Sequence, residues 1–301
     1  MSDSKNEVLE YKNILNDIAF KKFGEADYNL LFSILLLAKK GINSGKLEKD
    51  DKGNPIIKID YSVIKSMAEL KNDHIPNNKF HDEYLKKMTY KLMEIKGTIP
   101  ENNGQDVDLV VFPRFIRDKN NAQLIVPITD DFQKILYEFD EIGFTKLELK
   151  NFVSIESKYT KTLYRKLSQF RSSGKYVVKQ EKFRELFDVP ASYNQSDIMK
   201  RIINPAVKTL TEDKNLKDDF PNLKCETHKA PKRGAPVDRY IFTFLAKPRK
   251  KQQTEGQSDM LQATEEMQKY KKQKEKAKNS FNNFQQNTYD FDKLEEQLLD
   301  N

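Results

Sequence analysis

The chain has 301 residues, a length that suggests two domains, and 33% of them are charged against 37% in the apolar and aromatic set, so a single fully packed globule is excluded. One cysteine, Cys225, excludes an internal disulfide, and no apolar run reaches the roughly 20 residues a membrane-spanning helix needs. The net charge of +7 is unevenly spread: residues 1–145 hold 21 Lys and Arg against 24 Asp and Glu, residues 146–248 hold 22 against 12, and residues 249–301 hold 10 of each. The central segment therefore carries the whole excess, as expected of a domain that binds a polyanion. The Met-Ser-Asp-Ser-Lys start lacks a signal-peptide core, so a soluble, cytoplasmic chain without membrane contact is expected.

The first half opens with a helix marked by Tyr28, Leu31, Phe32, Leu35 and Leu36, expected to end in a turn at Lys40-Gly41. A strand follows at Pro55–Ile59, then a short helix at Tyr61–Leu70 and a polar turn containing Pro76. A second helix is expected over Lys79–Ile95, with Lys79, Lys86, Lys87 and Lys91 outward and Tyr84, Leu85, Met88 and Leu92 inward. The half closes in an expected hairpin of Val107–Phe115 with Gln123–Ile128, which supplies Arg114, Arg117 and Lys119.

The second half repeats this pattern. Ile155, Tyr159, Leu163, Leu167 and Phe170 form a helical stripe that ends at Ser173-Gly174. A strand at Lys175–Val178, a helix at Glu181–Phe187, a turn with Pro190 and a helix at Ser196–Thr211 come next. A hairpin of Lys224–His228 with Arg239–Phe244 completes the half. Residues 249–301 have the composition of a disordered tail, with a short amphipathic hint at Phe291, Leu294 and Leu298.

Helix, strand, helix, turn, helix, hairpin is the order of a winged helix-turn-helix. Finding it twice predicts an α+β chain of two tandem winged-helix domains: 1–145, slightly acidic, for auxiliary DNA contact or mainly protein contact, 146–248 for the main sequence-specific binding, and the tail. Within Ser196–Thr211, Met199, Ile202, Ile203, Ala206, Val207 and Leu210 share one face, while Lys200, Arg201, Asn204 and Lys208 share the other. Arg and Asn suit base edges, Lys suits phosphates, and Ser196 is the expected N-cap. Pro205 should interrupt this helix. The hairpin adds Lys229, Lys232, Arg233 and Arg239 for the backbone or the minor groove. In the first half the corresponding candidates are Lys86, Lys87, Arg114 and Arg117. Taken singly, Lys200 and Lys208 read equally well as ordinary solvated lysines.

No catalytic constellation is present in the sequence. His74, His81 and His228 are scattered, Cys225 and His228 have no further metal ligands at zinc spacing, and no glycine-rich phosphate loop occurs. No cofactor and no metal are therefore expected, and Cys225 reads as a strand residue.

The run Ser157-Lys-Tyr-Thr-Lys-Thr-Leu-Tyr-Arg-Lys-Leu-Ser-Gln-Phe170 resembles the opening of the second domain in the Rep initiators of iteron-bearing, theta-replicating plasmids. Glu181–Val189, Arg201–Lys208 and Arg233–Phe244 resemble three further elements of that family in the same order. The resemblance implies monomers that bind direct repeats at a plasmid origin as double-stranded DNA, open adjacent AT-rich DNA and recruit host replication proteins. It also implies dimerisation through residues 1–145, giving homodimers in equilibrium with those monomers that in some members repress the initiator's own promoter, and no strand cleavage. A winged-helix transcriptional regulator uses the same groove chemistry. A tyrosine-dependent rolling-circle nickase is disfavoured by the missing His-x-His pair, and a pure protein-interaction module leaves the basic segment unexplained.

Overall fold

The computed structural model describes residues 7–67, 76–100, 104–137, 143–229 and 236–247. Two winged-helix domains lie within one compact unit that spans residues 1–248. The expected tail, and Lys232 and Arg233 of the wing tip, lie outside the described residues.

The first domain begins with β1 (Val8–Lys12), α1 (Ile14–Asp17) and α2 (Glu25–Ser44). Asp27 fixes the start of α2 by accepting from the Gly24 N–H at 2.8 Å. The helix does not end at Gly41, as the sequence suggested. It runs on to Ser44 and closes at Gly45, which takes the left-handed conformation with φ 63°. Gly41 lies inside the helix, where a Cβ would crowd the Leu47 side chain. After β2 (Glu48–Lys49), β3 (Pro55–Asp60) and α3 (Tyr61–Met67), a long helix is assembled from α4 (Asn77–Lys79), a π segment (Phe80–Leu85) and α5 (Lys86–Met93).

The strands that follow differ from expectation. β4 (Lys96–Pro100) pairs with β5 (Asp106–Val110), whereas β6 (Ile116–Asp118) pairs with β7 (Gln123–Pro127). The single predicted hairpin is thus two, and β7 also pairs with β3 in the sheet order β2-β3-β7-β6. The alternating buried Leu124 and Val126 give β7 a core face that β3 completes through Ile59, a long-range pairing that no local pattern encodes. α6 (Asp130–Tyr137), β8 (Phe144–Glu148) and α7 (Leu149–Val153) were not foreseen; β8 pairs with β1, so that Thr145 lies opposite Tyr11.

The second half of the chain follows the predicted order closely: α8 (Lys158–Gln169), β9 (Lys175–Lys179), α9 (Gln180–Leu186), α10 (Gln195–Ile198), a π segment (Met199–Ile203), α11 (Asn204–Glu212), β10 (Lys224–Lys229) and β11 (Val237–Thr243). The three strands form one antiparallel sheet in the order β10-β11-β9. Gly174 turns the chain into β9 with φ 68°, and a Cβ there would stand 2.6 Å from the Phe244 carbonyl, so only glycine fits.

One apolar cluster runs through both domains. Its aromatic centre includes Phe32 against Phe152 (centroids 4.6 Å apart) and Phe152 against Tyr164 (6.1 Å). α8 lies within this shared core, and its polar side chains tie it to α1, α2 and α7. Lys161 Nζ donates to Asn29 Oδ1 at 2.7 Å and to the Phe152 carbonyl at 2.6 Å. Arg165 donates to the carbonyls of Leu15 and Ile18, both at 2.8 Å, and Lys166 pairs with Asp17 at 2.7 Å. All three cations are buried, and burial pulls the Lys166 pKa below its usual value against the opposing pull of Asp17. Part of the central positive charge is therefore buried against α1 and α2, a role the charge count could not reveal.

Candidate nucleic-acid interface

The second helix of the second helix-turn-helix is fixed at its start by Asn194, not by Ser196. The Asn194 side chain accepts from the Asp197 N–H at 2.9 Å, and Asp197 Oδ2 accepts from the Asn194 N–H at 3.1 Å. This is a reciprocal capping box, and asparagine three residues before the N3 donor reaches it where Ser196, one residue inside the helix, cannot. Arg184, on α9, donates to the Tyr193 carbonyl at 2.6 Å and so holds the turn that leads into the cap. Gln195 Oε1 accepts from Tyr240 Oη at 2.8 Å and from Gln180 Nε2 at 3.0 Å, which links the helix start to the wing strand β11 and to α9.

Ile198, Ile202, Ile203, Ala206 and Leu210 are buried, and Ser196, Lys200, Arg201, Asn204 and Lys208 are exposed. The predicted two-faced helix is therefore present, with all five candidates on solvent. The π segment Met199–Ile203 stands directly ahead of Pro205, whose ring has no N–H to offer the Arg201 carbonyl, so the interruption falls where expected. The matching helix of the first domain carries a π segment too, and no proline accounts for it there.

Arg201 is held but accessible. Its Nε stands 3.4 Å from Asp197 Oδ1, its guanidinium lies 5.2 Å from the centroid of the Tyr193 ring, and its side chain is 63% exposed. Lys208 faces Glu212 at 3.8 Å, with 71% of its side chain exposed. At the base of the wing, Asp238 takes His228 Nδ1 at 2.6 Å and Arg239 Nη2 at 3.0 Å, and these contacts hold the Asp238 carboxyl below the usual range. Lys229 is exposed at the end of β10. Lys175 and Lys179, which the sequence reading passed over, are exposed on β9, and Lys179 stands opposite Arg239. The alternation in Lys-Tyr-Val-Val-Lys, with Tyr176 and Val178 buried, is the signal that would have found them.

In the first domain, Lys86 and Lys87 are exposed on α5. Arg117 donates to Thr89 Oγ1 at 3.4 Å, while Arg114 is drawn to Asp50 at 3.2 Å and does not join the helix. Two orientations differ from expectation. Lys91 turns to a 2.6 Å ion pair with buried Asp27, because that carboxylate at the start of α2 needs a partner. Tyr84, expected inside, is 37% exposed, since Phe80 and Leu85 already fill the core on this face and the π segment shifts the helical register.

Cys225 is a half-buried residue of β10 whose thiol is pushed up to about 12 by burial, so it is a poor nucleophile. Among the described residues, no group of three or more His, Cys, Asp or Glu side chains is arranged to hold a metal ion, and no helix is long and apolar enough to cross a membrane.

The family model described as "Initiator Replication protein, WH1" matches residues 8–168, and the one described as "Initiator Rep protein, WH2" matches residues 179–244. A "Probable replication protein rep" of Bifidobacterium longum (strain NCC 2705) is 25% identical over 239 residues, covering 79% of this chain and 73% of the relative. The crystal structure of the Pi initiator protein in complex with iteron DNA superposes with a TM-score of 0.56 at 14% identity, covering 81% of this chain and 99% of that one, a likeness of fold. Two successive winged helices, an exposed polar face on the capped helix of the second, and these matches place the chain in the plasmid replication initiator Rep family, with WH1 and WH2 in tandem.

Proposed function

We propose that this chain is a plasmid replication initiator that binds direct repeats in double-stranded origin DNA. The observation that carries the reading is the capped helix at Gln195–Ile198, Met199–Ile203 and Asn204–Glu212, which turns Arg201 and Asn204 to solvent between two lysines while its other face is buried. A helix of this kind enters the major groove, where Arg201 and Asn204 meet base edges and Lys200 and Lys208 meet phosphates. Ser196 lies at the end of the helix that favours an anion. Lys229, Arg239 and the wing-tip residues Lys232 and Arg233 follow the backbone, and Lys86, Lys87, Arg114 and Arg117 supply the first domain's share.

In this division of labour, residues 146–248 carry most of the sequence-specific binding, and residues 1–145 add auxiliary contacts and a dimer surface. Monomers open the origin and recruit host replication proteins in the cytoplasm, and dimers repress the initiator's own promoter. The chain acts as a binding protein, without nucleotide hydrolysis or strand cleavage and without a cofactor. The π–α junction at Asn204 also occurs in the first domain at Lys86, which supports a shared mode of docking for the two helices.

The test is replication in trans. A plasmid that carries the origin repeats but lacks the gene is expected to be maintained only in cells that supply this chain, and supercoiled origin DNA incubated with the protein and Mg²⁺ is expected to stay unnicked. Loss of the plasmid despite the supplied protein, or a site-specific nick, overturns the reading.

A further inference from the structure

The most exposed aromatic side chain among the described residues is Tyr90, on the second helix of the first helix-turn-helix, with 53% of its surface in water. A phenol ring with half its surface in water on an open helix face removes little apolar area from solvent. Two cations from different elements flank it: Lys86 Nζ, one turn earlier on α5, is 5.9 Å from the ring centroid, and the Arg117 guanidinium, on β6, is 5.7 Å from it. Arg117 is fixed from beneath by Thr89, a buried residue whose hydroxyl donates to the Leu85 carbonyl at 2.9 Å. Lys87 is exposed beside the trio. This positive, aromatic-centred cluster stands out in a segment whose net charge is −3 by the counts given above.

We propose that Tyr90 is the base-reading residue of the first winged helix, with its ring packed on a thymine methyl in the major groove and Lys86 and Arg117 gripping phosphates on either side of it. The inference rests on the origin-binding reading above and deepens it. The cations steady the ring before DNA arrives, so little side-chain freedom is lost on binding. The ring offers an apolar surface, and in the major groove thymine alone presents a methyl group, so the residue discriminates at the positions it covers. Lys86 and Arg117 by themselves grip every sequence alike. Tyr90 thus gives the first domain sequence preference as well as charge.

The experiment measures binding of the full chain to a duplex carrying one origin repeat, to a scrambled duplex, and to a set of repeats in which each thymine is singly replaced by uracil, which lacks only the methyl. Wild-type protein is expected to lose about fourfold in affinity at one or two uracil positions, the worth of one buried methyl. Tyr90→Ala is expected to bind the intact repeat about tenfold more weakly, a typical loss for one base contact, and to be indifferent to uracil at those positions. Tyr90→Phe keeps the wild-type pattern. Alanine at an exposed helix position preserves the fold, which a thermal melt checks. Unchanged affinity for Tyr90→Ala, or weaker binding with the full uracil pattern retained, overturns the proposal. If the wild-type chain itself fails to prefer the repeat over the scrambled duplex, the origin-binding reading fails in that arm and the Tyr90 proposal falls with it.

Discussion

Replacing Arg165 with alanine is expected to destabilise the folded chain by roughly 2–5 kcal/mol, the scale of a buried carbonyl left without its donor together with a large-to-small change in a packed core. Arg165 is fully buried in α8, donates to two carbonyls at the end of α1, and lies 4.3 Å from the centroid of the Phe20 ring. Those carbonyls belong to the last turn of a short helix and have no helical donors of their own. Alanine leaves the buried Leu15 carbonyl without its donor, at about 1–3 kcal/mol, takes a second donor from the part-buried Ile18 carbonyl, and leaves a cavity beside Phe20. Against a total stability of about 5–15 kcal/mol, the variant should be marginal. Denaturant unfolding followed by circular dichroism checks this; a loss below about 1 kcal/mol, the level of an ordinary surface substitution, would mean that α8 is not anchored in this way.

Arg201→Ala is expected to lower the ratio of cognate to scrambled DNA affinity by about 5- to 150-fold, the range spanned by about 1–3 kcal/mol for a bidentate base contact. Arg201 projects from the middle of the capped helix, where its guanidinium is steadied by Asp197 and Tyr193 yet remains open to solvent. Lys208, on the same face nearer the C-terminal end, has only the long contact to Glu212. Its replacement by alanine should weaken both duplexes alike and reduce the salt slope by about one, as a phosphate contact does. Competition binding separates the two outcomes. If Arg201→Ala weakens both duplexes in the same proportion, Arg201 clamps a phosphate and the base reading lies elsewhere on the helix.

The second domain was legible from sequence because its signals are local. The stripe from Ile155 to Phe170, the alternation at Lys175–Lys179 and the two-faced helix after Asn194 each lie within one element. The first domain was legible in its helices and not in its strands. β1 finds β8 more than 130 residues away, and β7 completes a sheet with β3, so neither pairing follows from a run of neighbours. Charge misled in one respect. Lys161, Arg165 and Lys166 count toward the positive segment just as Lys200 and Arg201 do, and only packing reveals that the first three are buried against α1 and α2. Tyr84 shows the same limit in the first helix-turn-helix: the apolar pattern places it inward, but the helix buries Phe80, Leu85, Met88 and Leu92 and leaves Tyr84 exposed.

The central claim is that the chain recognises repeated origin sequence. Fluorescence anisotropy with the full chain tests it most directly, comparing a duplex that contains the direct repeats beside its gene with a scrambled duplex of equal composition, over a range of salt. At physiological salt the repeats are expected to bind at least about a thousandfold more tightly, the lower bound for specific recognition. Affinity for the scrambled duplex should fall steeply and log-linearly as salt rises, because it rests on counterion release. Equal affinity for the two duplexes at every salt concentration would contradict the account, and tighter binding to a lone palindrome than to the repeats would point to a transcriptional regulator instead.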